Sequence, residues 1–240
     1  MRKFFLVSIF ISIFVACYSC DDGRIYEKEV ILPQEGLSFQ LSGQLKGVDS
    51  WPENYTVCVA GFTEESDYAV LSKVIAPGNG DEVQVVLSGI KEEVSQVELC
   101  VTNRLRKRIV TFARMSAEAL HEAGALAALD VGTLDVGMFT ALQQELFNAS
   151  CIACHGANGH AARGLFLTEE KSYQALVGQA SQVQEGMLLV SPGKASESLL
   201  PRLLREEGLV QHSHTDLLDA KRKSVLLTLI SDWIDAGAKE

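Results

Sequence analysis

Positive charge is scarce in this chain. Its 240 residues carry 21 Lys and Arg against 31 Asp and Glu, a formal net charge of −10. Binding a polyanion needs a positive face, so this balance argues against nucleic acid as a partner. Cysteine is sparse too: six in 240 residues are too few for a disulfide-dense miniprotein. The apolar run Phe4 to Ala16 is 13 residues long, short of the ~20 that a membrane-spanning helix requires. With 47% hydrophobic and 22% charged residues, wholesale disorder, a collagen-like chain and a multi-span membrane protein are excluded. The length accommodates one or two domains. What cysteine there is falls into groups: Cys17 with Cys20, Cys58, Cys100, and Cys151 with Cys154. Two close pairs and two singletons imply three separate roles.

The first group belongs to an address. Arg2 and Lys3 precede the apolar run as a positive n-region, and residues 1–19 are expected to be a signal peptide that takes no part in the fold. The stretch Val15-Ala16-Cys17-Tyr18-Ser19-Cys20-Asp21-Asp22 resembles a bacterial lipoprotein cleavage box, in which a Cys after a small residue becomes the lipidated N-terminus. Cys20 is preferred, because Asp21 and Asp22 follow it directly and cleavage there leaves no spare thiol. Cys17, in the better apolar context, is the alternative, and simple secretion without lipidation is the third reading. The expected location is the cell envelope outside the cytoplasm, lipid-anchored at the outer membrane or the periplasmic face. There disulfides and covalent haem attachment are chemically allowed.

The remaining chain changes periodicity near residue 136. Before it, apolar residues alternate: Leu37, Phe39, Leu41; Tyr55, Val57, Val59; Val83, Val85, Leu87; Val97, Leu99, Val101. Pro52-Glu53-Asn54, Pro77-Gly78-Asn79-Gly80-Asp81 and Ser88-Gly89 separate these runs as turns. The pattern predicts an antiparallel, sandwich-like all-β domain over 20–136, with Asp130 to Val136 as a last strand and 116–128 as a short helix or loop. Cys58 and Cys100 both lie opposite the Val and Leu face of their strands. A disulfide between them is feasible if the strands pair, and two separate buried thiols are the alternative. From Met138 the spacing turns helical: Phe139, Leu142, Leu146 and Phe147 lead into Cys151, and Leu226, Leu229, Ile230, Trp233 and Ile234 share one side of a closing helix. Residues 137–240 are therefore expected to be all-α. The acidic surplus is greater in the first part, with 19 acidic and 10 basic side chains over 20–136 against 12 and 9 over 137–240.

Cys151-Ile152-Ala153-Cys154-His155 is the decisive motif. C-x-x-C-H is the attachment signature for one covalent haem c. Two thiols three positions apart at a helix end can each add to one haem vinyl group, and the following His is then held beneath the iron as an axial ligand. Random placement of six Cys and five His yields this pattern about 0.003 times per chain. A thioredoxin-like dithiol calls for a surrounding βαβ pattern, which is missing. A zinc site calls for a second ligand pair, which His160 and His212 with His214 can in principle supply.

Further motifs follow in order. They are Phe147-Asn148-Ala149-Ser150, Ala161-Ala162-Arg163-Gly164-Leu165-Phe166-Leu167, Ser172-Tyr173-Gln174-Ala175-Leu176-Val177, Val190-Ser191-Pro192-Gly193-Lys194, Ser198-Leu199-Leu200 and Trp233-Ile234-Asp235-Ala236-Gly237-Ala238. Together with C-x-x-C-H, residues 137–240 resemble a monohaem cytochrome c domain of the kind found in Bacteroidetes-type and planctomycete-type exported proteins. The resemblance covers less than half the chain and implies an all-α cytochrome c domain there; with the all-β sandwich-like domain read from the alternation before it, a multidomain chain is expected. It also implies a crossing of the first and last helices, with Phe147 and Trp233 as the candidate contact; the apolar segment Gly164 to Leu167, which follows the haem motif, is expected to line the haem crevice. Related domains usually place a Met shortly before the last helix as distal ligand. Here Gln211-His212-Ser213-His214-Thr215-Asp216 stands in that region, with His214 19 residues before Trp233. His214 is the expected distal ligand and His212 the neighbouring alternative. Met187, 32 residues after His155, is the thioether alternative, and an open or water-bound site is the last.

These readings predict an electron carrier rather than an enzyme. It is anchored to the membrane by its lipid, carries one haem, and has a redox protein as its partner. A second reading makes the β part a surface module for carbohydrate or protein, with the haem serving an associated oxidase; the lack of a paired aromatic stripe weakens it. A third is a haem enzyme or gas sensor with an open distal position.

Overall fold

A computed structural model describes residues 36–156 and 159–240. The expected signal peptide, Cys17 and Cys20 lie outside the described residues. The chain opens with β1 (Leu37–Lys46), a short 3-10 turn (Val48–Ser50), β2 (Tyr55–Phe62), β3 (Leu71–Val74), β4 (Asp81–Ile90), β5 (Gln96–Asn103) and β6 (Arg108–Ser116). Helix α1 (Ala117–Glu122) follows, with the Ser116 hydroxyl accepting from the Ala119 amide as its N-cap. After it come β7 (Leu126–Asp135) and α2 (Met138–Leu142), which runs on as a π-helical stretch Gln143–Cys151 and then α3 (Ile152–His155). The remainder holds α4 (Glu169–Leu176), α5 (Leu199–Leu203) and α6 (Lys223–Asp235). None of the described helices is long and apolar enough to cross a membrane.

Two sheets form, in the orders β4-β1-β7 and β3-β2-β5-β6. Alternation sends Phe39, Leu41 and Leu45 of β1 and Val57, Val59, Val97, Leu99 and Val101 of β2 and β5 into one core. Sheet pairing departs from the antiparallel expectation at one seam: β7 runs parallel to β1, Ser38 opposite Leu126 through Lys46 opposite Asp135. Strands β2 to β6 and α1 lie between β1 and β7 in the chain, and parallel neighbours need such a long crossover where a hairpin would make them antiparallel. Strand β3, with its short and largely exposed Leu-Ser-Lys-Val, is an addition to the expected strands.

Both central strands of the second sheet are buried on both faces. Cys58, Ala60, Phe62, Ala69 and Cys100 make a small second cluster on the side away from the main core. The segment between β2 and β3 runs beside it, bonded where the Arg108 amide donates to Asp67 O (2.8 Å), Ala69 N to Arg106 O (3.0 Å) and Val70 N to Gly61 O (2.9 Å). Glu98, 1% exposed, accepts from Arg108 (2.8 Å) and Thr111 (2.7 Å), and the Arg108 guanidinium lies 4.7 Å from the Phe62 ring centre.

The expected fold class is overturned. The described residues fall in one compact unit in which strand residues outnumber α-helical ones, and no separate all-α cytochrome c domain stands apart from the sheets. Leu146, Phe147, Trp233 and Ile234 belong to the same hydrophobic core as Phe39 and Val59. The 136/137 junction lies within this unit. Gly47 and Gly137 approach so closely there that a Cβ on Gly47 would sit 2.6 Å from the Gly137 Cα, and Gly47 itself has φ +74°. Trp51 Nε1 donates to Val136 O (2.7 Å), and Ser50 Oγ accepts from Met138 N (2.9 Å). Further along, Tyr55 Oη and Asn54 Nδ2 both donate to Asp232 Oδ2, at 2.7 and 3.0 Å, and Arg222 pairs with Glu145 while donating to Ile109 O (2.8 Å). Polar side chains scattered through the sequence thus join the helical segments to the strands.

Candidate haem-attachment site

Cys151, Cys154 and His155 lie on one short stretch of helix, at the end of the π-helical turns and in α3. Such wide turns recur at functional positions. Cys151 is buried, and burial together with its neighbour Cys154 pushes its thiol up to about 12. Cys154 is exposed. Gly156 ends the helix where a Cβ would meet the Thr168 Cγ2 at 2.6 Å.

His155 is held by the segment that follows it. Its Nδ1 lies 3.2 Å from Leu165 O, and its own carbonyl accepts from Leu167 N (2.7 Å). A carbonyl oxygen only accepts, so Nδ1 carries the proton and Nε2 is left with its lone pair. Burial, and then the His214 ring, pull this imidazole below its ordinary pKa. Buried Gln143 secures the same segment: Nε2 donates to Leu167 O (2.9 Å) and Asn148 Oδ1 (2.7 Å), while Oε1 accepts from Ser172 Oγ (2.5 Å). The Leu165 carbonyl and the Leu167 amide of the Gly164 to Leu167 segment thus both bond His155.

The ring of His214 lies 6.4 Å from that of His155, centre to centre, with 33° between the planes. Its Nδ1 lies 2.8 Å from His212 O, which fixes the same tautomer as in His155. The loop carrying it is pinned by Glu207, which accepts from Ser213 Oγ (2.8 Å) and from Thr215 Oγ1, and by Lys223 Nζ of α6 on Thr215 O (2.5 Å). His212 contributes its backbone to this arrangement and its side chain is exposed. Met187 stands in another contact, its Sδ 3.4 Å from Arg202 Nη1. Phe147 and Trp233 share one buried core, and the Phe139 ring lies 6.1 Å from Phe147 and 5.2 Å from Trp233.

The donor set fits a haem c. Cys151, Cys154, His155 and His214 are the thiols and imidazoles that such a group would take, and the two imidazole rings lie 6.4 Å apart, centre to centre. Among the described residues no three His, Cys, Asp or Glu side chains converge as a metal cage. A haem iron asks the protein for axial ligands alone. Backbone oxygens on Nδ1 of a ligating His orient the ring and raise its basicity, and both rings have one.

The Leu165 and His212 carbonyls and the Gln143 side chain are site components that sequence reasoning missed. Backbone oxygens carry no residue signature, and a lone buried Gln reads like any other. No family model, curated protein or solved structure matches the chain.

Proposed function

We propose that the protein is one that would carry a single haem c on Cys151 and Cys154, with His155 and His214 as the residues that would hold its iron, and that it passes single electrons to or from a partner redox centre. The observation that carries this reading is the placement of His214 beside the histidine of C-x-x-C-H. The two ring centres lie 6.4 Å apart, and each Nδ1 is within hydrogen-bond distance of a backbone carbonyl.

When bound, the haem supplies a one-electron iron couple. The chain's own residues bind and orient it. Cys151 and Cys154 provide the covalent tether. The Leu165 and His212 carbonyls hold their protons on Nδ1 and leave Nε2 of each histidine as the donor atom. Gln143, through Leu167, limits movement of the segment that bears the Leu165 carbonyl. Two imidazoles rather than an imidazole and a thioether set the potential on the low side, since a Met ligand raises it. No residue is assigned a catalytic role. Export and anchoring through Cys20, or Cys17, complete the reading and rest on the leader sequence alone.

Expression alongside a haem-attachment system, followed by denaturing electrophoresis and haem staining, tests it. A stained band that disappears in Cys151→Ala/Cys154→Ala is expected, and a colourless parent band overturns the proposal. The reduced holoprotein should be low-spin and indifferent to CO, whereas His214→Ala should bind CO. If His214→Ala leaves the spectrum unchanged, His214 is not the ligand.

A further inference from the structure

The haem reading leaves one pair of nucleophilic side chains unused. Cys58 of β2 and Cys100 of β5 are direct cross-strand partners, with their Sγ atoms 4.0 Å apart and both thiols free. Directly opposed residues of an antiparallel pair have Cα atoms about 4.5–5.5 Å apart, inside the roughly 4.4–6.8 Å range of disulfides. Closing the gap to a bond of about 2.05 Å therefore asks for side-chain rotation with little strand movement. Of the described cysteines these two are grouped together in the small cluster behind the second sheet, while Cys151 lies in the main core.

We propose that Cys58 and Cys100 are a redox pair, a dithiol that a small disulfide of the oxidised-glutathione class converts to an intrachain disulfide joining β2 to β5. The Cys58 thiolate attacks one sulfur of the reagent, forming a mixed disulfide and expelling one thiolate. The Cys100 thiolate then attacks Cys58 Sγ and expels the second. The protein loses two electrons and two protons, and the reagent becomes two thiols. The environment divides the roles in this order. A hydrogen bond from Cys100, helped by Thr102 and Arg106, holds Cys58 below the ordinary thiol range, while the same contact and burial push Cys100 up. Cys58 and Cys100 are 1% and 0% exposed, so the reagent gains entry when the Asp67–Val70 segment parts from Gly61, Arg106 and Arg108.

The test is peptide mapping of the full chain without reductant, after equilibration in glutathione buffers of graded oxidation, acid quench and alkylation in denaturant. A second arm refolds the chain from urea in the same buffers. The expected result is loss of the two alkylated thiols at 58 and 100 and their replacement by one linked peptide pair, reversed by excess reduced glutathione. Cys58→Ser should abolish the linked pair and leave Cys100 alkylated. Asp67→Ala, which removes a salt bridge to Arg108 at 2.6 Å, should speed oxidation of the native chain several-fold. Free thiols at both positions in the most oxidising buffer, in both arms, overturn the proposal, as does a stable link from either to another cysteine. Neither outcome bears on the haem stain.

Discussion

Replacing Asp232 by Ala tests the union of strands and helices in one cooperative unit. One carboxylate oxygen on α6 receives the Tyr55 hydroxyl at 2.7 Å and the Asn54 amide at 3.0 Å, both at the entrance to β2. A hydrogen bond to a charged group contributes about 1.5–3 kcal/mol. The two donors share an acceptor, so their losses do not add in full, and about 3 kcal/mol is expected for Asp232→Ala. In a unit of roughly 200 residues each kcal/mol moves the midpoint by about 2–4 °C, so the melting temperature should fall by about 6–12 °C. Tyr55→Phe, which keeps the Asn54 bond, should lose about half as much, and the double mutant should show coupling of about 1–2 kcal/mol. Thermal unfolding by circular dichroism gives the magnitude. Hydrogen exchange of β2 and α6 peptides shows whether both segments lose protection together. If α6 opens in Asp232→Ala while β2 keeps its full protection, or if the loss is under about 0.5 kcal/mol, the single-unit reasoning fails.

The same contact makes a pH prediction. Burial, and then the hydrogen bond and charge of Asp232, raise the Tyr55 hydroxyl well above its ordinary range. Its contribution is complete below the unfolded value of about 10. Above that pH the unfolded chain releases the proton that the folded chain keeps, so stability falls as pH rises. Urea titrations should show a steeper decline above about pH 10 in the parent than in Tyr55→Phe.

Other expected outcomes follow from burial and close approach. Glu98→Ala deprives buried Glu98's partners Arg108 and Thr111 of their acceptor and should cost about 3 kcal/mol in urea unfolding; Glu98→Gln, which keeps the shape, should cost less. Gly47→Ala puts a Cβ at φ +74° and 2.6 Å from Gly137 Cα, and should lower stability by about 2–4 kcal/mol; an unchanged midpoint would mean that the 136/137 junction is not tightly packed. Exchanging His214 for Met should raise the potential of the holoprotein relative to the parent, measured by redox titration.

Strands were legible where alternation was long enough to mark a face. Leu37-Phe39-Leu41 and Val97-Leu99-Val101 announced β1 and β5, whereas Leu71 to Val74 is too short and too exposed to announce β3. Strand direction has no local signal, so the parallel seam between β1 and β7 could not be read. The change of periodicity near residue 136 is genuine, since helices do follow. It marks a change of element type within one compact unit, and the groups that cross it, Asp232 to Tyr55 and Arg222 to Ile109, have no period by which a sequence could show them. In the site, Cys151, Cys154 and His155 are contiguous and so visible. His214 was visible as one of two neighbouring histidines. The structure adds that the His214 ring lies near that of His155, and that the carbonyl of His212, not its imidazole, faces His214.

The seam between β1 and β7 also sets a timetable. Ser38 meets Leu126 and Lys46 meets Asp135, so β1, among the first described segments to be synthesised, waits for a partner that appears some ninety positions later. Until then β1 has β4 on one side and an open edge on the other, the kind of edge that recruits foreign strands. Closing so long a loop before its contacts repay the entropy slows folding. Refolding is expected to be rate-limited by this seam, and the newly made chain to be most prone to association before β7 emerges.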